Sequence, residues 1–420
     1  MSTSLQEIFR SQFSQYEQQR PLHSRERRAA WAIMNCRTPA MGGHVLRCPR
    51  DGYSLVQYHS CRHRSCPTCS QQPRQQWVEQ QLQRLLPCEH YHAVFTLPHE
   101  FIPLWAYNRA ALSKLLFDCA RESLLELCRD ERFLGATPGI IMALHTWGRT
   151  LSQHPHVHCL ITGGGIDTQG QWRPSRHGYL LPVKVVSSLF RGKMLHHLKQ
   201  ALVHETLRLP PQQDAQHWLT AIKTQYRKHW NVQLAEPYQH GRGVALYLAR
   251  YVKGGALGSR HTFDTDAHNV RLQYVDHRDG HSKLLQLTKP EFISRVLWHA
   301  PVRGQHTVRY AGLYVPSAHP ARERCREHLS PQPPVAPRAL PTFAPSKLVL
   351  APSPIHCPKC NADLRPTARF NQMHQPGEIS NCYRPRASEP IGPTRRSSGH
   401  PGRSRFERLG FVVPPGRRLT

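Results

Sequence analysis

The chain has 420 residues, and its 56 Lys and Arg against 27 Asp and Glu give a formal net charge of +29 and a sequence pI near 10.2. Such an excess attracts polyanions, so nucleic acid is the first ligand class to consider and an anionic membrane surface the second. No apolar run approaches the roughly 20 residues that a membrane-spanning helix needs, and the first residues lack the basic and then apolar order of a signal peptide. We therefore expect a cytoplasmic, nucleoid-associated protein that does not enter membranes.

The N-terminal part of the sequence predicts a helix followed by a small domain that depends on a metal ion. Apolar residues recur at three- and four-residue steps within residues 1–35, which is typical of a helix. Residues 36–69 are punctuated by Gly and Cys and contain few apolar side chains, so they cannot build a core of their own. With a basic, Gln-rich helix over residues 70–86, we expect residues 1–86 to form an N-terminal helix and zinc-binding domain.

Residues 87–329 alternate between strand-like and helix-like patterns, which predicts one catalytic domain. Strands are expected at 90–97, 139–145, 156–161 and 232–234, helices at 102–128, 187–207, 216–230 and 243–253, and a hairpin that turns at 278–280. This order indicates an α+β fold with a central antiparallel sheet flanked by helices.

The C-terminal part does not have the composition of a folded domain. Residues 330–356 read as a Pro-rich linker, and residues 357–420 as a cysteine pair followed by a disordered basic tail with eleven Arg, no Lys and three Glu from residue 365 onward. A tail of this kind binds phosphates without sequence preference. The pair Cys357 and Cys360 is half of a candidate second zinc site, whose other ligands remain open among Cys325, His356 and Cys382.

Four cysteines fall in one short N-terminal segment and predict a structural zinc site. The last two form a Cys-x-x-Cys knuckle, in which one turn gives two thiolates to a tetrahedral ion. The alternatives are free thiols or a redox pair, but the knuckle does not sit at the strand-to-helix junction that a redox pair occupies. The predicted ligands are Cys48, Cys61, Cys66 and Cys69, with Cys36, His44, His59 and His63 as possible substitutes.

The strongest catalytic signal is a strand that carries His156 and His158. Alternate strand residues face the same way, so the two imidazoles stand side by side as a platform for a divalent metal while Val157 faces the core. Tyr247 and Tyr251 lie four apart in a segment of good helix formers, so both hydroxyls project from one face. Beside a histidine-bound cation, a tyrosine hydroxyl can attack a phosphate. Two other interpretations compete with this one. The histidine pair could arise by chance in a chain with 29 histidines, and the two tyrosines could simply pack in a core.

The His-hydrophobic-His strand, the later Tyr-x-x-x-Tyr helix and the upstream cysteine knuckle together resemble the rolling-circle insertion-sequence transposases of the IS91 family, members of the HUH endonuclease superfamily. The motifs that carry this resemblance lie at residues 58–69, 154–165, 247–251 and 308–314. The resemblance implies a nuclease domain with an antiparallel sheet, in which His156 and His158 bind Mg²⁺ or Mn²⁺. It also implies that Tyr247 or Tyr251 attacks single-stranded DNA of transposon ends and target, which leaves a 5′-phosphotyrosine and a free 3′-hydroxyl.

Several assignments stay open at this stage. The family's zinc-binding domain maps onto the four predicted cysteines, but Asp51 stands where the family often has the second cysteine of a pair, so the fourth ligand is open among Cys61, Asp51 and His44. The third ligand of the catalytic metal is unassigned, with His154 or a Gln, Glu or His from elsewhere as candidates. The expected DNA-binding residues are Arg62, Arg64, Arg250 and Lys253.

Two other functions fit parts of the sequence. One is a zinc-knuckle DNA-binding regulator, or a degenerate and inactive transposase, that holds DNA without chemistry. The other is a replication initiator or relaxase with the same chemistry. The cysteine knuckle and the late motif at residues 308–314 favour the transposase.

Overall fold

The computed structural model describes residues 2–69, 71–176, 178–235, 237, 254–258, 263–276, 279–329 and 355–371. The helix expected at residues 243–253, with Tyr247, Arg250, Tyr251 and Lys253, lies outside these residues, as do most of the predicted linker and the tail beyond residue 371. Across the described ranges, no helix is long and apolar enough to cross a membrane.

Nine α-helices lie in the described part of the chain. In chain order they are α1 (Leu5–Gln19), α2 (Ser24–Asn35), α3 (Gln71–Arg84), α4 (Ile102–Tyr107), α5 (Arg109–Arg129), α6 (Val183–Val203), α7 (Ala215–Gln225), α8 (Lys289–Trp298) and α9 (His319–Leu329).

The strands of the described residues form three separate sheets. In chain order they are β1 (Ser2–Thr3), β2 (Gly43–Arg47), β3 (Ser54–Tyr58), β4 (His90–Thr96), β5 (Thr137–Trp147), β6 (Gln153–Ile166), β7 (Trp172–Pro174), β8 (Val232–Leu234), β9 (Phe263–Thr265), β10 (Asn269–Val275), β11 (Ser282–Thr288), β12 (Val308–Gly312) and β13 (Arg365–Phe370).

The central sheet has six strands in the order β12-β5-β6-β4-β8, with β7 added beside β6. Every pairing in it is antiparallel, which confirms the predicted α+β fold with a central antiparallel sheet. The two longest strands, β5 and β6, lie at its centre, and β6 carries the predicted His156 and His158.

Each face of the central sheet has its own apolar layer. One face packs against α5, α6 and α7, and receives the odd-numbered β6 residues Val157, Cys159 and Ile161. Helix α5 fits this face because apolar side chains recur at four-residue steps along it and form one buried stripe. The opposite face packs α3 and α9 against Ile141 and Leu160. The even-numbered residues of β6 therefore lie on a different face from the main core.

A second core joins the N-terminal helices to a four-stranded sheet of order β1-β9-β10-β11. Helix α1 begins with a capping box, in which the Ser4 amide donates to Glu7 Oε2 at 2.7 Å and the Glu7 amide donates to Ser4 Oγ at 3.3 Å. The helix expected over residues 1–35 is divided in two because Pro21 lies in the break between α1 and α2.

The third sheet is small and joins distant parts of the chain. Strands β2 and β3 form a hairpin, and β13 pairs antiparallel with β2, from Arg365 opposite Arg47 to Phe370 opposite Gly43. Strand β13 falls within residues 357–420, which the sequence places with the cysteine pair and the disordered tail, so this part of the chain contributes a strand beside the N-terminal hairpin.

Candidate active site and metal centres

Three histidines meet on the face of the central sheet that lies opposite the main core. His156 and His158 point to this face from β6, while Val157 between them is fully buried in the core. His145 on β5 is the direct cross-strand partner of His156. One ring nitrogen from each of His145, His156 and His158 lies within 4.8 Å of the other two. We call these three residues the histidine triad.

Hydrogen bonds orient two of the triad rings. His156 Nδ1 lies 2.6 Å from the carbonyl oxygen of His154, and because a carbonyl only accepts, this nitrogen carries the proton and Nε2 keeps its lone pair. His158 Nδ1 lies 2.8 Å from His92 Nε2, and the two rings stack at 5.0 Å. Neighbours of this kind fix the tautomer and the orientation of metal-binding imidazoles.

Burial keeps the triad uncharged at neutral pH. It lowers the pKa of His156 to about 4 and that of His158 to about 2, and it holds the pKa of His145 well below its usual value. The charged form is disfavoured because these rings lose their contact with water. Three neutral imidazoles therefore face one another, which is the protonation state that a divalent cation requires.

His145 occupies the third position of this group, which the sequence leaves unassigned. The expected strand at residues 139–145 ends on it, but only the register of β5 against β6 brings it beside His156. His154 offers its carbonyl oxygen to the His156 ring instead of joining the group. Among the described residues, no carboxylate belongs to this group, so its metal-binding atoms are imidazole nitrogens alone.

The first cysteine centre consists of Cys36, Cys61, Cys66 and Cys69, whose sulfur atoms lie within 4.8 Å of one another. Cys36 Sγ lies 3.4 Å and Cys61 Sγ 3.6 Å from Cys69 Sγ. A hydrogen bond from Cys61 lowers the pKa of Cys66, which favours the thiolate form that binds a metal ion. Four sulfur ligands in a tight group fit a tetrahedral zinc ion.

Cys48 does not lie in this first cysteine centre, which corrects the predicted ligand set. It follows β2 at the turn end of the β2–β3 hairpin, where Arg47 pairs with Ser54, whereas Cys61 follows β3 beyond the other end, where Gly43 pairs with Tyr58. Four steps along a strand separate the two ends by about 13 Å. Cys36, one of the possible substitutes, takes the fourth place.

The other substitutes also lie outside that centre. His44 and His59 contact each other with ring centroids 4.6 Å apart, and His63 Nδ1 accepts a hydrogen bond from the Ser65 amide. Of the candidate partners for the second pair, Cys357 and Cys360, Cys325 packs in the apolar layer under the central sheet, and His356 pairs with Asp363. Cys382 lies outside the described residues.

The cysteine loop touches the catalytic domain close to the histidine triad. Arg64 Nη1 donates to Thr307 Oγ1 at 2.6 Å and its Nε donates to the Gly254 carbonyl at 3.4 Å. After burial and the neighbouring histidines, the Arg64 charge is a further cause that lowers the pKa of His145. Arg62, two residues earlier, is exposed and has a left-handed backbone with φ of 52°. Arg64 thus braces the loop, and Arg62 faces solvent.

The late motif at residues 308–314 supports β5. Strand β12 pairs with β5, and the buried Tyr314 ring lies against Gly139, where an added Cβ would be 2.9 Å from the ring. The Tyr314 hydroxyl contacts His90 Nε2 at 2.7 Å and accepts from the Leu86 amide at 3.1 Å. The motif therefore fixes the strand that carries His145.

Comparisons with known proteins agree with these centres. A family model described as "Putative transposase" matches residues 139–322, and one described as "Transposase zinc-binding domain" matches residues 8–97. The chain is 35% identical to the "Putative transposase y4qJ" of Sinorhizobium fredii, over 73% of this chain and 79% of that one. It is 30% identical to the transposase for insertion sequence element IS801 of Pseudomonas savastanoi pv. phaseolicola, over 81% of this chain and 83% of that one.

Among solved structures, TrwC complexed with a 27-mer DNA matches at 12% identity over 38% of this chain and 72% of that chain, with a TM-score of 0.20. The zinc-binding match spans the whole first cysteine centre, and the transposase match spans the whole histidine triad. On the strength of its relatives, the chain belongs to the IS91 family of insertion-sequence transposases, enzymes of DNA transposition.

Proposed function

We propose that this transposase nicks and rejoins single-stranded DNA through a 5′-phosphotyrosine intermediate, and that this exchange drives rolling-circle-type transposition. The observation that carries the proposal is the histidine triad: three neutral imidazoles, two of them oriented by hydrogen bonds, whose ring nitrogens lie within 4.8 Å of one another on the sheet of a transposase domain. A structural role alone does not explain three buried histidines whose ring nitrogens converge, since a core is filled more favourably by apolar side chains.

His145, His156 and His158 would hold the divalent cation. When bound there, a divalent cation polarises the scissile phosphate and offsets the charge that develops during in-line displacement. Imidazole nitrogen binds first-row transition-metal ions, of which Mn²⁺ is the weakest, whereas Mg²⁺ strongly prefers oxygen ligands. Of the two expected ions, Mn²⁺ therefore fits this nitrogen-only set better than Mg²⁺.

Tyr247 and Tyr251 are the proposed nucleophiles. The hydroxyl oxygen of one tyrosine attacks the phosphorus, the bond to the 3′ oxygen breaks, and the tyrosine proton ends on the released 3′-hydroxyl. One phosphodiester replaces another, so rejoining by a 3′-hydroxyl needs no ATP. The chain around Gly254 supports this role, because Arg64 donates to the Gly254 carbonyl at 3.4 Å and the charge of Arg64 also lowers the pKa of His145.

The proposed DNA contacts are Arg62, Arg64, Arg250 and Lys253. The exposure of Arg62 supports a phosphate contact on the surface of the cysteine loop. Arg64 is already held by Thr307, so its contribution to DNA binding would be smaller than that of Arg62.

The proposal is tested by incubating the purified chain with labelled single-stranded oligonucleotides that cover the ends of its own element, with Mn²⁺ or Mg²⁺, and separating the products on a denaturing gel. We expect a covalent protein–DNA adduct, formed faster with Mn²⁺. His156→Ala should abolish the adduct while DNA binding stays largely intact, and Tyr247→Phe with Tyr251→Phe identifies the nucleophile. His154→Ala is the matched control, since it keeps the carbonyl that orients His156. Tight binding with no adduct under either metal would instead identify a regulator or an inactive transposase.

A further inference from the structure

A second cluster of metal-binding side chains lies in the small N-terminal sheet. It consists of Cys48, Asp51, Cys357 and Cys360, and one ligand atom from each lies within 4.8 Å of the others. Neither Cys357 nor Cys360 falls within the residues 8–97 that match the zinc-binding domain, so this cluster is additional to the first cysteine centre.

The turn that follows β2 is a closed knuckle around Cys48. The Cys48 amide donates to the Tyr53 carbonyl at 2.7 Å, and the Cys48 carbonyl accepts from the Gly52 amide at 3.2 Å. The Arg50 amide points at Cys48 Sγ at 3.4 Å. Gly52 has a left-handed backbone, with φ of 73°. Backbone amides directed at a sulfur atom stabilise it as a thiolate.

The segment before β13 forms a second knuckle with the same bonds at the same spacing. The Cys357 amide donates to the Ala362 carbonyl at 2.8 Å, and the Cys357 carbonyl accepts from the Asn361 amide at 2.9 Å. The Lys359 amide points at Cys357 Sγ at 3.4 Å. Asn361, at the place of Gly52 in the first knuckle, is also left-handed, with φ of 58°.

The equivalence of the two knuckles identifies the role of Asp51. Cys360 stands three residues after Cys357, and Asp51 stands three residues after Cys48, so the carboxylate takes the place of the second thiolate in the first knuckle. Cys48 Sγ lies 3.4 Å from Cys360 Sγ, and Cys357 Sγ donates to Asp51 Oδ2 at 3.0 Å. Ligands of a tetrahedral zinc ion, with Zn–S near 2.3 Å and Zn–O near 2.1 Å, are separated by about 3.6 to 3.8 Å. The sulfur atoms are much farther apart than the roughly 2.05 Å of a disulfide.

The surroundings of the cluster contain little else to hold the segment in place. The local core consists of four buried residues, Leu46, Cys48, Cys357 and Leu364, of which two are cysteines of the cluster itself. Such a small core does not stabilise a fold without a metal ion or a covalent link. Cys48 and Cys360 are 312 positions apart in the sequence. A cation that binds both knuckles would therefore join β13 to the N-terminal domain.

We propose that Cys48, Asp51, Cys357 and Cys360 form a second structural zinc site, with three thiolates and one carboxylate, which fastens residues 355–371 to the N-terminal domain. Thiolate ligands select zinc over the harder Mg²⁺ and Ca²⁺ ions. This site is independent of the histidine triad and of the proposed strand transfer, so either proposal can fail without the other.

The test is the zinc content of the full chain, purified under reducing conditions and measured by atomic emission and native mass spectrometry. We expect two zinc ions per chain, and one in Cys357→Ser. The matched control, Cys66→Ser, should also retain one ion, because it removes the first cysteine centre instead. One ion per chain in the wild type, or two in Cys357→Ser, would overturn the proposal.

A gain-of-ligand variant covers the case in which Cys357→Ser does not fold. Asp51→Cys should keep two ions and release one of them more slowly to a chelator, because a fourth thiolate replaces a carboxylate. With Co²⁺ as the probe ion, the same variant should add sulfur-to-metal charge-transfer absorption. Unchanged release and an unchanged cobalt spectrum would show that residue 51 is not a ligand. In hydrogen exchange, removal of zinc should also expose the β2–β13 amides, and persistent protection would argue against a metal fastening.

Discussion

Replacement of His92 by alanine should weaken metal binding without removing any ligand of the triad. His92 Nε2 lies 2.8 Å from His158 Nδ1, and the two rings are nearly parallel at 8°. Loss of such a neighbour typically lowers metal affinity about 10- to 100-fold, which corresponds to about 1.4 to 2.8 kcal/mol. Because the ring of His158 stays in place, the lost affinity reflects its orientation and tautomer alone.

The assay is a calorimetric titration of the metal-free chain with Mn²⁺, followed by adduct formation at several Mn²⁺ concentrations. His92→Ala should raise the Kd for Mn²⁺ and recover most of the adduct at saturating metal, whereas His156→Ala should not recover. His92→Gln, which can still accept a hydrogen bond, should restore part of the affinity. His154→Ala, a change of equal size beside His156 with ring centroids 4.9 Å apart, should leave the Kd unchanged. An unaltered Kd in His92→Ala, or an equal loss in His154→Ala, would refute this account of how the triad is oriented.

Three further predictions concern stability and DNA binding. Gly312→Ala should lower the free energy of unfolding in urea by at least about 2 kcal/mol. The reason is that φ of Gly312 is 56° and an added Cβ would lie 1.8 Å from the Pro138 carbonyl oxygen. The control Gly192→Ala, in open space on α6, should be neutral or stabilising. Burial lowers the pKa of His299 to about 4, so the unfolded chain binds the proton first as pH falls below about 6.5. Between pH 7 and pH 5, the free energy of unfolding of His299→Gln should therefore fall by about 2 kcal/mol less than that of the wild type. Equal losses of stability in the two proteins would contradict this. Truncation after Asn371 removes nine Arg and three Glu, a net charge of +6, and should reduce the salt dependence of single-strand binding by up to about 4 in log–log slope, with the adduct retained; an unchanged slope would rule out a DNA-binding role for the tail.

The parts of the fold and site that follow a local rule were predictable from the sequence. The two-residue period of a strand places His156 and His158 on one face and Val157 on the other, and the structure has this arrangement. The antiparallel sheet also follows from the alternation of the predicted elements. These rules depend on neighbours in sequence, so no knowledge of the pairing between strands is needed.

The parts that depend on pairing between distant segments were not predictable. His145 joins the triad through the register of β5 against β6. This register shifts between His145 and Trp147, and no pattern in the sequence predicts the shift. Cys48 is close to Cys61 in sequence, but the hairpin between them sends the two residues to opposite ends of a five-residue ladder. Proximity along the chain therefore grouped three of the four clustered cysteines with one another and placed the fourth, Cys48, in the wrong cluster.

The pairing of β13 with β2 has a consequence for synthesis. Thr367 Oγ1 donates to the Val45 carbonyl across 322 positions of sequence, so the first domain to leave the ribosome lacks its third strand until almost the whole catalytic domain has been made. At about 5 to 20 residues per second, that delay is on the order of 15 to 60 seconds. The exposed edge of β2 is open to wrong partners during this time. Chains that stop before residue 365 never cover this edge, so shortened copies should be prone to aggregation and removed by proteolysis.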